Sequence, residues 1–241
     1  MTDPLQINGK TYWLVGASAG IGAALAKELD AKGASLILSA RSVQGLEDVA
    51  ATLSKPCQIH PCDVTNADEV LRIAAKIEHL DGVIYMAGDY EPMSAATWDP
   101  LRAKTISDVN YMGALYVLGA VVPSFVRRDS GHVVIIGSLA GFAGLPGAIS
   151  YGASKAALMH LAQDIRADLK GSNLRVQLVN PGFVDTRLTR LNEFRMPFIT
   201  TADKAAKIIA RHMETRRFSK SFPGLFSLFF KLKGIGFLLR S

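Results

Sequence analysis

Tyr151 and Lys155 stand four residues apart in YGASK, a spacing that on a helix puts a phenol and an ammonium on one face. Free tyrosine ionises near pH 10, so proton transfer near neutrality asks for a shift of about 3 units, or about 4 kcal/mol. A neighbouring cation in a water-poor site acts in that direction, because it favours the phenolate. Ser138 comes 13 residues before the tyrosine, directly after the apolar run VVIIG. The carboxyl end of a parallel strand presents side chains to a ligand crevice at such a place.

A second group of residues suits an anion. Gly16-Ala17-Ser18-Ala19-Gly20-Ile21-Gly22 follows an apolar stretch and leads into AALAKELDAKG. Glycines at a strand-to-helix turn let backbone amides approach a pyrophosphate, whose charge the helix N-terminus favours. The spacing is G-x-x-x-G-x-G, which differs from the commonest dinucleotide fingerprint, G-x-G-x-x-G. The stretch after LILS reads Ser39-Ala40-Arg41-Ser42 and holds no acid. An acid there would bind the ribose 2'-hydroxyl of NAD, whereas Arg41 with Ser42 suits a 2'-phosphate, so NADP is expected and NAD disfavoured. Asp63 is a candidate for the adenine amino group, with helix capping by Asp63 or Thr65 as the alternative.

These residues need a scaffold that brings strand ends together. Short Val- and Ile-rich runs alternate with longer stretches of helical period, the pattern of βαβ units feeding a parallel sheet. Strands are predicted at 11–16, 34–39, 57–62, 81–86, 131–137 and 173–179, with helices between them. The expected class is α/β: a doubly wound, Rossmann-like parallel sheet in one domain, residues 1–221, followed by an apolar, basic tail, 222–241.

Together the motifs resemble the short-chain dehydrogenase/reductase family of the Tyr-x-x-x-Lys type, over roughly residues 8 to 222. Gly16, Gly20 and Gly22 match its glycine motif, Asp63-Val64 its Asp-Val, Ala87-Gly88 its Ala-Gly, and Asn110 its helical asparagine. Pro181, Gly182, Val184 and Thr186 in NPGFVDT look like its loop around the nicotinamide. The resemblance implies reversible reduction of a carbonyl to an alcohol, with the hydride carried by the cofactor. Tyr151 would exchange a proton with the substrate oxygen and Ser138 would hold that oxygen. Lys155 would lower the tyrosine pKa and bind the nicotinamide ribose, and Asn110 would anchor a water leading from Lys155 to solvent. Three positions depart from the family pattern. Val15 replaces a threonine, Tyr85-Met86 replace Asn-Asn, and Ala19 stands where NADP-preferring members often carry a basic residue.

Length and composition agree with a single globular unit: 241 residues, 49% hydrophobic and 20% charged, with mean hydropathy +0.21. Cys57 and Cys62 cannot form a disulfide framework, and MTDPLQINGK lacks a signal-peptide apolar stretch, so a cytoplasmic location is expected. Cys57, His60 and Cys62 lack a fourth ligand for zinc, and no metal is expected. His132, His160 and His212 read as packing or surface residues.

Charge is lopsided. Residues 1–186 hold 15 Lys and Arg against 18 Asp and Glu, whereas 187–241 hold 12 against 3. One basic end fits an anionic partner rather than nucleic acid along the whole chain. The tail FPGLFSLFFKLKGIGFLLRS is interrupted by Lys231 and Lys233, which disfavours spanning a membrane. As a helix it would set a polar stripe of Ser227, Lys231 and Gly234 against an apolar arc of Leu225, Phe226, Leu228, Phe229, Leu232, Phe237 and Leu239. Peripheral membrane contact, packing on a second subunit of a homo-oligomer, and covering the substrate entrance are its three possible uses.

The lid-like stretch after Thr186 offers Leu188, Leu191, Phe194, Met196 and Phe198, which favours a small-molecule substrate with a hydrophobic portion. The same lid residues fit a loop packed on the protein body equally well. Two alternatives to a reductase of apolar ketones remain: a 3-oxoacyl reductase served by an acidic carrier protein, and a non-catalytic nicotinamide-binding module anchored by its tail.

Overall fold

The computed structural model describes residues 6–192 and 196–238, the last six as helical backbone only. In chain order the elements are β1 (Thr11–Val15), α1 (Gly20–Ala31), β2 (Ser35–Ser39), α2 (Val43–Ala50), β3 (Gln58–Ile59), α3 (Ala67–Lys76), β4 (Gly82–Tyr85), α4 (Pro100–Ser107), α5 (Gly113–Arg127) and β5 (His132–Ile136). There follow α6 (Ile149–Asp168), β6 (Arg175–Pro181), β7 (Val184–Asp185), β8 (Thr200–Thr201), α7 (Ala202–Met213), β9 (Ser219–Phe222) and α8 (Gly224–Leu238). Seven strands form one parallel sheet in the order β3-β2-β1-β4-β5-β6-β9, with β7 and β8 paired separately.

The central strands read as unbroken apolar runs because both faces are covered. All five residues of β5 are buried, as are Tyr12 to Val15 of β1. On one face Leu14, Leu38 and Ile136 pack with Leu25 and Leu29 of α1 and Ile209 and Met213 of α7. On the other, Trp13, Val83 and Ile135 pack with Ile73 of α3, Val117 and Phe125 of α5, and Leu158 and Ala162 of α6. The helical stretch Pro100–Arg127 is long and apolar enough to cross a membrane, yet Val117, Val121 and Phe125 bury its inner face against the sheet.

Three expectations are corrected. The strand expected over 57–62 contracts to Gln58–Ile59, because Pro61 cannot donate to a ladder, although His60 and Cys62 still donate to Leu38 and Ala40. The strand expected over 173–179 runs instead from Arg175 to Pro181. A seventh strand, β9, lies at the sheet edge where none was expected. Three of the four residues of its sequence SKSF are polar and only Phe222 is buried, so it carries no buried-strand signature. The expected domain boundary after residue 221 falls inside this strand.

Candidate active site

A cavity of 480 Å³ opens at the carboxyl ends of β1, β2 and β4. It is lined by Gly16, Ser18, Gly20, Ile21, Gly22, Arg41, Ser42, Asp63, Val64, Ala87, Gly88 and Thr186, all singled out in the sequence. Two glycines are required by space. A Cβ on Gly22 would lie 2.0 Å from the Gly16 carbonyl oxygen, and Gly16 has φ +99° with the Ala87 backbone 2.6 Å from where its Cβ would be. The turn is therefore closed too tightly for side chains. Ala19 caps α1 without a side-chain hydrogen bond, which leaves the first amides of the helix facing the cavity. Such a cradle fits a pyrophosphate.

Pro181 and Val184, expected in the loop around the nicotinamide, do not line this cavity. The shift of β6 by two residues places Pro181 in the strand, buried opposite Phe222, and Val184 pairs with Thr200. Gly182 lies on a second cavity instead. The alternative role for Asp63 is also corrected: Asn66 caps α3 by accepting from Glu69, while Asp63 accepts from the amide and hydroxyl of Thr65. Sequence reasoning missed Arg187, which with Leu188 of the expected lid extends the lining beyond Thr186. It also missed Cys62, whose thiol burial pushes up to about 12.

The second cavity, of 560 Å³, holds Ser138 and Tyr151. Leu139, Leu145, Pro146, Phe183, Leu188, Phe226 and Phe230 make most of its wall apolar, and Tyr90, Thr189 and Asn192 add polar groups. Leu188 belongs to both cavities. Of the described lid residues expected to shape the substrate space, only Leu188 does so. Leu191 and Phe198 are exposed, Met196 is half-buried beside Asn192, and Phe194 lies outside the described residues.

Of the polar stripe expected on the tail, Lys231 is exposed, but Ser227 faces the protein body, its hydroxyl bonded to the Gly224 carbonyl, while Leu225, Leu228, Phe229 and Leu232 face out. The small, internally satisfied serine lets α8 approach closely enough for Phe226 and Phe230 to reach the cavity. Leu239 lies outside the described residues, and for Gly234 and Phe237 the helical backbone alone is described.

Lys155 is buried, 4% exposed, and its Nζ donates to the Ile136 carbonyl at 3.2 Å. The ammonium lies 5.8 Å from the centre of the Tyr151 ring. Burial lowers its pKa to about 8. Burial raises that of Tyr151, and the hydrogen bond with Ser138 offsets only part of the rise. A phenol held above its ordinary pKa is protonated at neutral pH, ready to donate.

Asn110 sits on a π-helical turn, Asp108–Met112, between α4 and α5. Its amide donates to the Asp89 carbonyl and to Ser154 Oγ, at 3.0 and 2.9 Å, and its oxygen accepts from Asp89 N at 2.7 Å. It thereby ties the loop after β4 to α6. Tyr85 supplies the brace that the missing asparagines left open, donating to the Val109 carbonyl at 2.5 Å. Arg102 of α4 grips Asp89 and Glu91. Burial pushes the Asp89 carboxyl up, but the hydrogen bonds and charge of Arg102 outweigh it and hold the group below its usual range. Between these anchors Tyr90 packs edge-on against Tyr151, centroids 4.9 Å apart, and donates to Asn192 Oδ1 at 2.6 Å.

A doubly wound parallel sheet with a glycine cradle beside a Ser-Tyr-Lys cluster defines the class of dinucleotide-dependent oxidoreductases. The sequence pattern described as short chain dehydrogenase matches residues 10–195. An uncharacterized oxidoreductase of Myxococcus xanthus is 35% identical over 225 residues, covering 90% of this chain and 89% of that protein. Another, from Staphylococcus epidermidis, is 33% identical over 193 residues, covering 78% and 84%. The chain belongs to the short-chain dehydrogenase family. Among solved structures, a short-chain dehydrogenase from Sphingobium yanoikuyae in complex with NADPH superposes with TM-score 0.85 at 25% identity, covering 96% of this chain and 95% of that one. One from Burkholderia cenocepacia in complex with NADP gives TM-score 0.83 at 24% identity, covering 96% and 94%.

Proposed function

We propose that the protein is an NADP-dependent reductase of a carbonyl on a fairly hydrophobic small molecule, acting reversibly on the corresponding secondary alcohol. The observation that carries this reading is the meeting of the two cavities at Leu188, with Ser138 and Tyr151 on the apolar side. Uncapped α1 amides and the glycine turn fit a pyrophosphate, and Arg41 with Ser42 fits a 2'-phosphate. The Sphingobium structure in complex with NADPH supports the same cofactor. Bound there, NADPH would supply the hydride.

The chain's own residues handle the proton. Ser138 would hold the substrate oxygen, and Tyr151, kept protonated by burial, would donate to it. Lys155 would hold the nicotinamide ribose and stabilise the phenolate left behind, being buried and charged at neutral pH. Asn110 would fix the loop that carries Gly88 against Ser154, and keep open a water route from Lys155. The apolar wall excludes water around the reacting oxygen.

Assembly as a cytoplasmic homo-oligomer belongs to the same reading, and free Cys57 and Cys62 suit a reducing compartment. The outward apolar residues of α8 support peripheral membrane contact. A series of ketones of growing apolar size, followed by NADPH absorbance, tests the reading. kcat/KM should climb with apolar size and NADPH should outperform NADH. A flat series, or preference for NADH, would contradict it.

A further inference from the structure

A third cavity, of 650 Å³, lies between α7, β8, β9 and the start of α8, and shares no lining residue with the other two. Lys204, Arg211, Arg217 and Lys220 line it, together with the hydroxyl-bearing Thr200, Thr215 and Ser219. Among the described residues no carboxylate lines it. Among the described residues none of the four cations forms an ion pair, and the nearby Glu214 is taken by Lys32 at 2.8 Å. Four unpaired cations around one concavity repel one another and focus positive potential where an anion can enter.

The rim of the same cavity is apolar. Phe198 and Ile199 line it and are 69% and 47% exposed. Gly224, also in the lining, starts α8, whose Leu225, Leu228, Phe229 and Leu232 are 88%, 51%, 60% and 57% exposed. Their spacing makes one stripe along the helix. Large apolar side chains in such numbers beside a cationic hollow form an interaction surface.

From this juxtaposition we propose that the cavity seats the phosphate headgroup of an anionic lipid, with the outer stripe of α8 and Phe198 entering the acyl boundary of the membrane. The charge pattern selects this occupant. A second copy of the chain would bring like charges together, which disfavours a symmetric contact through this face. A soluble phosphate ester would satisfy the cations and leave the stripe in water. A lipid surface satisfies both at once. The placement also sets the α8 face bearing Phe226 and Phe230 over the Tyr151 cavity while the opposite face meets the membrane.

The test is sedimentation of the full chain with vesicles of mixed phosphatidylglycerol and phosphatidylcholine, against vesicles of phosphatidylcholine alone. Binding is expected only to the anionic vesicles and should weaken with salt. The double variant Arg217→Gln/Lys220→Gln should bind about 30-fold more weakly, at about 5-fold per cation near a charged surface. Leu225→Ser/Phe229→Ser should also lose vesicle binding, with melting temperature and NADPH binding retained in both variants as checks on folding. Failure of the wild type to bind anionic vesicles would overturn the proposal, as would equal binding by the Arg217/Lys220 variant. Glycerol phosphate binding in the cavity as tightly as the vesicles do would assign it to a soluble ester instead. A change of oligomeric mass in the charge variant would assign the face to a second copy, and capture of an acidic acyl-carrier protein in place of vesicles would assign it to a protein. Each of these readouts is independent of turnover, so the reductase reading stands or falls separately.

Discussion

The cavity at Gly16–Gly22 is walled largely by backbone and small residues at strand-to-helix turns, whereas the cavity at Tyr151 is walled by side chains from separated stretches between Tyr90 and Phe230. Backbone walls recognise what every member of a cofactor class shares, the pyrophosphate, and tolerate no added atoms. Side-chain walls recognise size and apolarity, and can be trimmed without collapse of the fold. Between the two stands Lys155, which lines neither cavity and is held buried, its Nζ donating to the Ile136 carbonyl.

Gly22→Ala should break the backbone-walled side most severely. Its Cβ would lie 2.0 Å from the Gly16 oxygen, and backbone on both sides cannot give way cheaply. Stability is expected to fall by about 3 kcal/mol or more, with NADPH binding lost, as read by denaturant unfolding and fluorescence titration. A variant that binds NADPH normally would show that the turn is looser than described.

Lys155→Met sharpens the boundary between the cavities through pH. The folded pKa of about 8 lies below the ordinary 10.5, so the folded chain releases a proton before the unfolded chain does. Below about pH 8 both states carry the charge and the folded state bears the burial cost in full; between about 8 and 10.5 that cost fades. The cofactor-free variant should therefore be more stable than wild type at neutral pH by about 3 kcal/mol, as 2.5 units imply. The gap should close as pH rises. Thermal unfolding at a series of pH values checks it, and a gap that grows with pH would contradict the sign.

Phe226→Ala should separate the two sides cleanly. It trims the side-chain wall only, so kcat/KM for bulky ketones should fall about 10-fold while NADPH affinity stays unchanged in titration. An equal loss on small and bulky ketones would remove the helix from substrate recognition.

The two cavities also differ in how far they could be read in advance. The glycine turn, Arg41, Asp63 and the Ala87-Gly88 pair are local in sequence, each belonging to one strand end, so a parallel α/β pattern was enough to bring them together. Ser138, Tyr151 and Lys155 were legible for the same reason. Phe226 and Phe230 were not, because their position depends on β9, whose mostly polar edge sequence gave no strand signal. The tail therefore read as an amphipathic segment with three open uses, the substrate entrance among them, and Ser227 as part of a polar stripe, when its register is set by packing on the body. The burial of Tyr151 was not legible for a related reason: spacing shows that Lys155 is near, but burial depth is a tertiary property, and here it raises the phenol pKa.

The proton-donor role of Tyr151 is best tested by measuring NADPH affinity and ketone turnover side by side in Tyr151→Phe. The ring and its edge-on contact with Tyr90 remain, while the hydroxyl paired with Ser138 is removed. NADPH should bind as to wild type, and turnover should fall by about 10²- to 10⁴-fold. Turnover equal to wild type would contradict the assignment of the phenol as the group that protonates the substrate oxygen.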